Sequence, residues 1–150
     1  MSLRPMKRRS FLKNGAACAL GLPMLAQGAD LSATEKSNVK VIEDFCDAWA
    51  TKDLDKIASF FGDPIVFRIT EAAPPLTGRE AIVARLKPLI DRSVSVKFEL
   101  LQKFARGPLV VAERYDYFPT ADKPNRFHVV GVFLMKDGKI AEWTDYVIRD

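Results

Sequence analysis

The chain has 150 residues, 48% of them hydrophobic and 10% aromatic, which suits one domain with a core of its own. Its formal net charge of +4 comes from the first 29 residues, where Arg4, Lys7, Arg8, Arg9 and Lys13 stand with no acid. Taking those five from 23 basic residues leaves 18 against 19 acidic ones over residues 30–150, a net charge of −1, which excludes a basic nucleic-acid or membrane-binding surface outside the leader.

Lys7-Arg8-Arg9-Ser10-Phe11-Leu12-Lys13 resembles the twin-arginine export signal, with an apolar run from Gly15 to Ala26 and small residues at Ala26, Gly28 and Ala29 behind it. About a dozen apolar residues are too few for a bilayer that needs roughly 20. Residues 1–29 are therefore expected to be removed on export, which leaves a periplasmic protein with no membrane contact beyond export itself. Cys18 lies in this leader, where Gly15-Ala16-Ala17 lacks the leucine of a lipoprotein site. Cys46 is then alone and is expected to be a buried structural thiol, in a fold held by its core rather than by disulfides.

A polar linker over residues 30–37 comes next, and a domain over residues 38–150. Val39, Ile42, Phe45, Cys46 and Trp49 recur at helical spacing and predict a first helix. Asp53 is placed to cap a second helix running through Phe61, with Leu54, Ile57, Ala58 and Phe61 inward and Gly62 as its stop. A short strand covers Ile65 to Ile69, Pro74-Pro75 and Gly78 make a turn, and Arg79 to Ile90 reads as a third helix that Pro88 kinks or ends.

From Val94 the period changes to two, predicting strands over Val94–Ala105, Leu109–Phe118, Arg126–Met135 and Lys139–Ile148. Arg106-Gly107-Pro108 and Lys136-Asp137-Gly138-Lys139 carry hairpin chemistry, and Asp122-Lys123-Pro124-Asn125 is a longer loop. Helices first and a meander afterwards indicate an α+β fold. Its expected form is a cone-shaped, curved, mixed or antiparallel sheet wrapped around about three N-terminal helices, enclosing an apolar pocket.

Two strings break the apolar pattern of these strands. In Glu113-Arg114-Tyr115-Asp116, strand alternation puts Arg114 and Asp116 on the face of Val110, Ala112 and Phe118. In Trp143-Thr144-Asp145-Tyr146, Asp145 shares its face with Ala141, Trp143 and Val147. Charges on a buried face must be paired, protonated, wet or functional. The competing readings are a salt bridge on a solvated sheet face for Arg114 and Asp116, a loop cap for Asp145, and core or pocket wall for Trp143. His128, the one histidine, points to the opposite face together with Tyr115 and Tyr117, a position for surface, packing or dimer contacts. No cluster of ligands stands at metal-binding spacing, and neither metal nor other cofactor is expected.

These strings, with Asp44-Phe45-Cys46-Asp47-Ala48-Trp49, Thr77-Gly78-Arg79-Glu80-Ala81-Ile82, Val130-Gly131-Val132-Phe133 and Gly138-Lys139-Ile140-Ala141-Glu142, resemble the limonene epoxide hydrolase family over roughly residues 38–146. The helical and turn motifs are shared by the wider ketosteroid-isomerase-like, nuclear-transport-factor-2-like (SnoaL-like) superfamily; the Asp-Arg-Asp set is narrower. The resemblance implies one-step addition of water to a small apolar epoxide, with Asp145 as general base, Asp116 as general acid and Arg114 as the bridge between them. It also implies a homodimer, and a pocket lined by Phe127 and Val129.

In that family the first strand supplies a tyrosine and an asparagine, two residues apart, that help hold the attacking water. Here the segment is Ile65-Val66-Phe67-Arg68-Ile69. One register turns Val66 and Arg68 to the site, the other Phe67 and Ile69, and neither supplies the polar pair. Val66, Phe67, Arg68, Phe127, Val129 and Trp143 are thus the candidate substrate-binding residues, and an inward Arg68 would pair with Asp145. Two alternatives follow: a non-hydrolytic small-molecule-binding protein of the same fold, and a SnoaL-like isomerase or cyclase using one aspartate as a proton shuttle. Against the isomerase, the strand from Val66 to Ile69 carries no carboxylate.

Overall fold

The computed structural model describes residues 30–149, so the expected export signal over residues 1–29 lies outside the described residues. In chain order come helix α1 (Ala33–Ala48), a 3-10 turn (Trp49–Thr51), helix α2 (Leu54–Ala58), strands β1 (Phe61–Arg68) and β2 (Leu76–Thr77), and helix α3 (Arg79–Arg92). Strands β3 (Lys97–Arg106), β4 (Leu109–Tyr117), β5 (Arg126–Lys136) and β6 (Lys139–Ile148) follow. The six strands form one mixed sheet in the order β2-β1-β6-β5-β4-β3. β3 to β6 are the antiparallel meander read from the sequence, and β1 joins it parallel to β6.

The polar linker is shorter than residues 30–37, because α1 already begins at Ala33. Ser32 and Glu35 form a capping box: the Ser32 hydroxyl accepts from the Glu35 amide at 3.2 Å, and Glu35 accepts from the Ser32 amide at 2.8 Å. The other Glu35 oxygen accepts from the Gly107 amide at 2.7 Å, while Asn38 donates to the Gly107 carbonyl at 3.2 Å. The first turns of α1 therefore grip the β3–β4 hairpin, whose tip needs glycine at φ +56°.

Helix α2 is also shorter than expected. Asp53 caps it as predicted, accepting from the Asp55 and Lys56 amides, but it ends at Ala58, and Phe61 opens β1 instead. Phe61 lies four residues beyond Ile57, so its burial fits a helix, and it also lies on the Ile65, Phe67 alternation of a strand. Gly62 is not a helix stop; a Cβ there would meet the Ile140 carbonyl at 3.2 Å, so it serves the close approach of β6. Pro88 does not end α3, which runs on to Arg92. Pro88 and Ala84, whose carbonyl loses its amide partner, both sit on the exposed side, where water replaces the lost bond.

The meander starts at Lys97 rather than Val94, whose amide bonds the Pro119 carbonyl at 2.8 Å outside the ladder. A register shift where β5 meets β6 puts Ile140 opposite Met135 and Glu142 opposite Leu134, leaving Ala141 out of the pairing. Ile140 and Trp143 are both buried in consequence, and Ala141 does not share the Asp145 face in simple alternation. The core centres on Phe45 of α1, whose ring lies 5.2 Å from Trp143, 6.0 Å from Phe133 and 6.1 Å from Phe61. The first two are edge-to-face and the third tilted, and aromatic pairs of this kind add roughly 0.5–1.5 kcal/mol each beyond burial.

Candidate active site

Arg114, Asp116 and Asp145 meet on the core face of the sheet. Arg114 is 0% exposed, Asp116 4% and Asp145 7%, so the solvated salt bridge and the loop cap are both ruled out. The Arg114 Nε donates to Asp116 Oδ1 at 2.8 Å and its Nη2 to Oδ2 at 3.1 Å, a two-pronged contact along one strand. The same Nη2 reaches Asp145 Oδ2 at 2.8 Å, and the Trp143 indole donates to Asp145 Oδ1 at 2.6 Å.

Sheet register explains how an arginine on β4 meets an aspartate on β6, with β5 between them. Gly131 on β5 pairs with Asp145 on one side and with Ala112, two residues before Arg114, on the other. Lacking a side chain, Gly131 leaves the space over β5 through which the guanidinium passes. A Cβ there would run into Arg114 Nη1 and meet the Phe133 ring at 2.7 Å. Gly131 is the functional residue that the sequence reading passed over, although a glycine inside an apolar strand signals close approach. The Phe98 ring, 4.8 Å from the guanidinium carbon, adds a cation–π contact.

Burial sets the protonation of the trio. With both carboxylates ionised it carries a net charge of −1, and one proton makes it neutral. Burial pushes the Asp116 carboxyl up to about 7, against the pull of Arg114 and with the Asp145 charge adding to the rise. Burial raises Asp145 as well, opposed by Arg114 and by the Trp143 donor. Arg114 stays charged: burial works against its charge, and Asp145 and Asp116 overrule it. The pair of carboxyls therefore keeps a proton to far higher pH than an ordinary aspartate.

Asp116 and Asp145 line a cavity of about 290 Å³. Its walls include Phe67, Ile69, Phe98, Phe127, Val129 and Trp143, and its other polar lining residues are Thr70, Arg85 and Arg92. Of the sequence candidates, Phe67, Phe127, Val129 and Trp143 are on this wall, with Phe127 still 43% exposed. Val66 and Arg68 are not. In the parallel register Phe67 pairs with Trp143 and shares its face, their rings 4.1 Å apart, which turns Val66 and Arg68 to the other side of the sheet. The open choice of register is thus Phe67 and Ile69, and no Arg68–Asp145 pair forms. His128 lies on the outer face, bonded to Glu113 at 2.7 Å.

The family model of the SnoaL-like domain matches residues 42–143. Among characterised proteins, epoxide hydrolase EphG of Mycobacterium tuberculosis is 29% identical over 105 residues, covering 70% of this chain and 69% of that protein. Among solved structures, an LEH-like epoxide hydrolase of M. tuberculosis gives a TM-score of 0.68 at 24% identity, over 76% of this chain and 84% of its own. A protein of Jannaschia sp. CCS1 assigned as a SnoaL-like polyketide cyclase gives 0.70 at 17% identity, over 80% and 91%. These structural likenesses establish a shared mixed α+β fold.

Proposed function

The chain belongs to the SnoaL-like domain family, and from that premise we propose that it is an exported, cofactor-independent epoxide hydrolase acting on small, largely apolar epoxides. The observation that carries the reading is the single Arg114 guanidinium holding Asp116 and Asp145 together on the wall of an apolar cavity. The reading takes the sheet as the wall of a cone closed by the helices, and residues 1–29 as a twin-arginine signal delivering a homodimer to the periplasm.

In the proposed reaction the Asp145 carboxylate takes a proton from water as the water oxygen forms a bond to one epoxide carbon. The carbon–oxygen bond of the ring breaks, and Asp116, carrying the shared proton, delivers it to the departing oxygen. A vicinal diol forms with no covalent intermediate. Asp145 is left protonated and Asp116 ionised, and one proton passed between them restores the site. Arg114 favours the one ionised carboxylate that the pair keeps throughout. Proton transfer of this kind is worth about 10²–10⁴-fold for each group.

A second reading is a non-hydrolytic binding protein, favoured by Phe67 and Ile69, which stand on the wall where the resembling family holds water with tyrosine and asparagine. Turnover of terpene, styrene and cyclohexene epoxides separates the two. Hydrolysis by the wild type, lowered at least about 100-fold by Asp145→Asn, supports the hydrolase; equal rates in the two proteins sink it.

A further inference from the structure

The polar residues of the cavity fall into two groups by burial. Asp116 and Asp145 are deep, whereas Arg85 and Arg92 of α3 line the cavity and are exposed, which puts them at its mouth. Seven residues apart, they lie on one face of the helix about 10 Å from each other along its axis. Leu86 and Leu89, between them in sequence, line the same cavity. Neither guanidinium has an ion-pair or hydrogen-bond partner among the described residues. Asp91, the acid next to Arg92, is engaged by Lys87 at 2.8 Å. The Thr70 hydroxyl, also on the lining, is a third donor without a partner among the described residues.

We infer that the compound taken by this site has an apolar body and one anionic group, a carboxylate or phosphate, which Arg85 and Arg92 hold at the cavity mouth while the body lies along the aromatic wall. The inference rests on the proposed function for the identity of the reacting group, and it adds the substrate class. With its proton the Arg114–Asp116–Asp145 trio is neutral and offers an anion no net positive charge, whereas Arg85 and Arg92 do, so the favoured orientation has the charged end outward and the epoxide against Asp116 and Asp145. Guanidinium forks suit such an oxyanion, and their stems can lie on the apolar rim while the heads stay in water. Small neutral epoxides would be turned over without this anchor.

The test compares kcat/KM of the full chain on a straight-chain epoxide ending in a carboxylate with that on its methyl ester, and repeats the ratio on Arg85→Gln/Arg92→Gln. A ratio taken within one protein cancels any general loss of activity. The wild type is expected to favour the acid roughly tenfold, and the variant to bring the ratio close to one. Equal rates on acid and ester in the wild type overturn the inference and leave the hydrolase standing.

If neither compound is turned over, nor any of the terpene, styrene and cyclohexene epoxides, the hydrolase reading has failed and binding decides the anion site separately. Trp49 and Trp143 both line the cavity, so their fluorescence reports on decanoate, decyl phosphate and methyl decanoate. Tighter binding of either anion than of the ester, abolished in the double variant, supports the inference and sorts carboxylate from phosphate. Equal binding of all three overturns it.

Discussion

A charge on an apolar strand face marks Arg114, Asp116 and Asp145 in the sequence alone, because burial without a partner is too costly to be accidental. Gly131 was not legible in the same way. Its role depends on which strand lies on each side of it, and that follows only from the β4–β5–β6 register. Gly131→Ala is expected to lower stability by about 1–3 kcal/mol through overpacking against Arg114 and Phe133. The measurement is the urea midpoint at constant slope. An unchanged midpoint would mean that the guanidinium does not need the space.

The raised Asp116 carboxyl makes a second prediction at this scale. Its folded value of about 7 lies above the ordinary 3.8, so the folded state holds the proton more tightly than the unfolded state between those limits. Its contribution to stability is present below about pH 4 and is lost as pH rises toward 7. Asp116→Asn, which cannot ionise, should therefore gain in stability relative to the wild type from pH 4 to 7. In the hydrolase the same proton is the catalytic one, so kcat/KM should fall as pH rises through about 7. A profile flat from pH 6 to 9 would remove Asp116 from the role of acid.

Among the elements, those set by local chemistry were the easier to read. The meander follows its period of two and its Gly and Asp-Gly turns, while the start of β1 is ambiguous in the sequence because Phe61 fits a helical and a strand spacing equally. Its parallel seat beside β6 joins residues 76 to 79 positions apart, and no local pattern announces such a pair. The two-residue β2 exists only as a partner for Val66 and Phe67, and in the sequence it stands inside the turn chemistry of Pro74-Pro75 and Gly78. The capping box at Ser32 and Glu35 was visible as Ser-x-x-Glu, yet the polar residues around it read as linker. Ser32→Ala should cost about 1 kcal/mol, seen in the urea midpoint, with activity per folded molecule unchanged. No shift in the midpoint would show that Glu35 alone, through Gly107, fixes the start of α1.

For the molecule as a whole, the lone thiol of the described residues reports on how the fold holds together. Cys46 is 1% exposed, and burial pushes its thiol up to about 12, with Arg114 pulling it down and the Asp116 charge adding to the rise. At pH 8 the native protein thus presents neither an accessible sulfur nor an appreciable fraction of thiolate. The sulfur sits in the cluster formed by α1 and the core face of the sheet, where Ile42, Phe45, Trp49 and Phe133 are all buried. Reaching it requires separating the helix from the sheet, not a local fluctuation. With Cys18 replaced by alanine so that only Cys46 reacts, labelling by an aromatic disulfide at pH 8 should be slow in buffer. Its rate should rise with urea in step with global unfolding measured by tryptophan fluorescence. Fast labelling in buffer, with the fluorescence still native, would mean that α1 opens on its own. The Phe45 cluster and the Glu35–Gly107 clasp would then not bind helix and sheet into one cooperative unit.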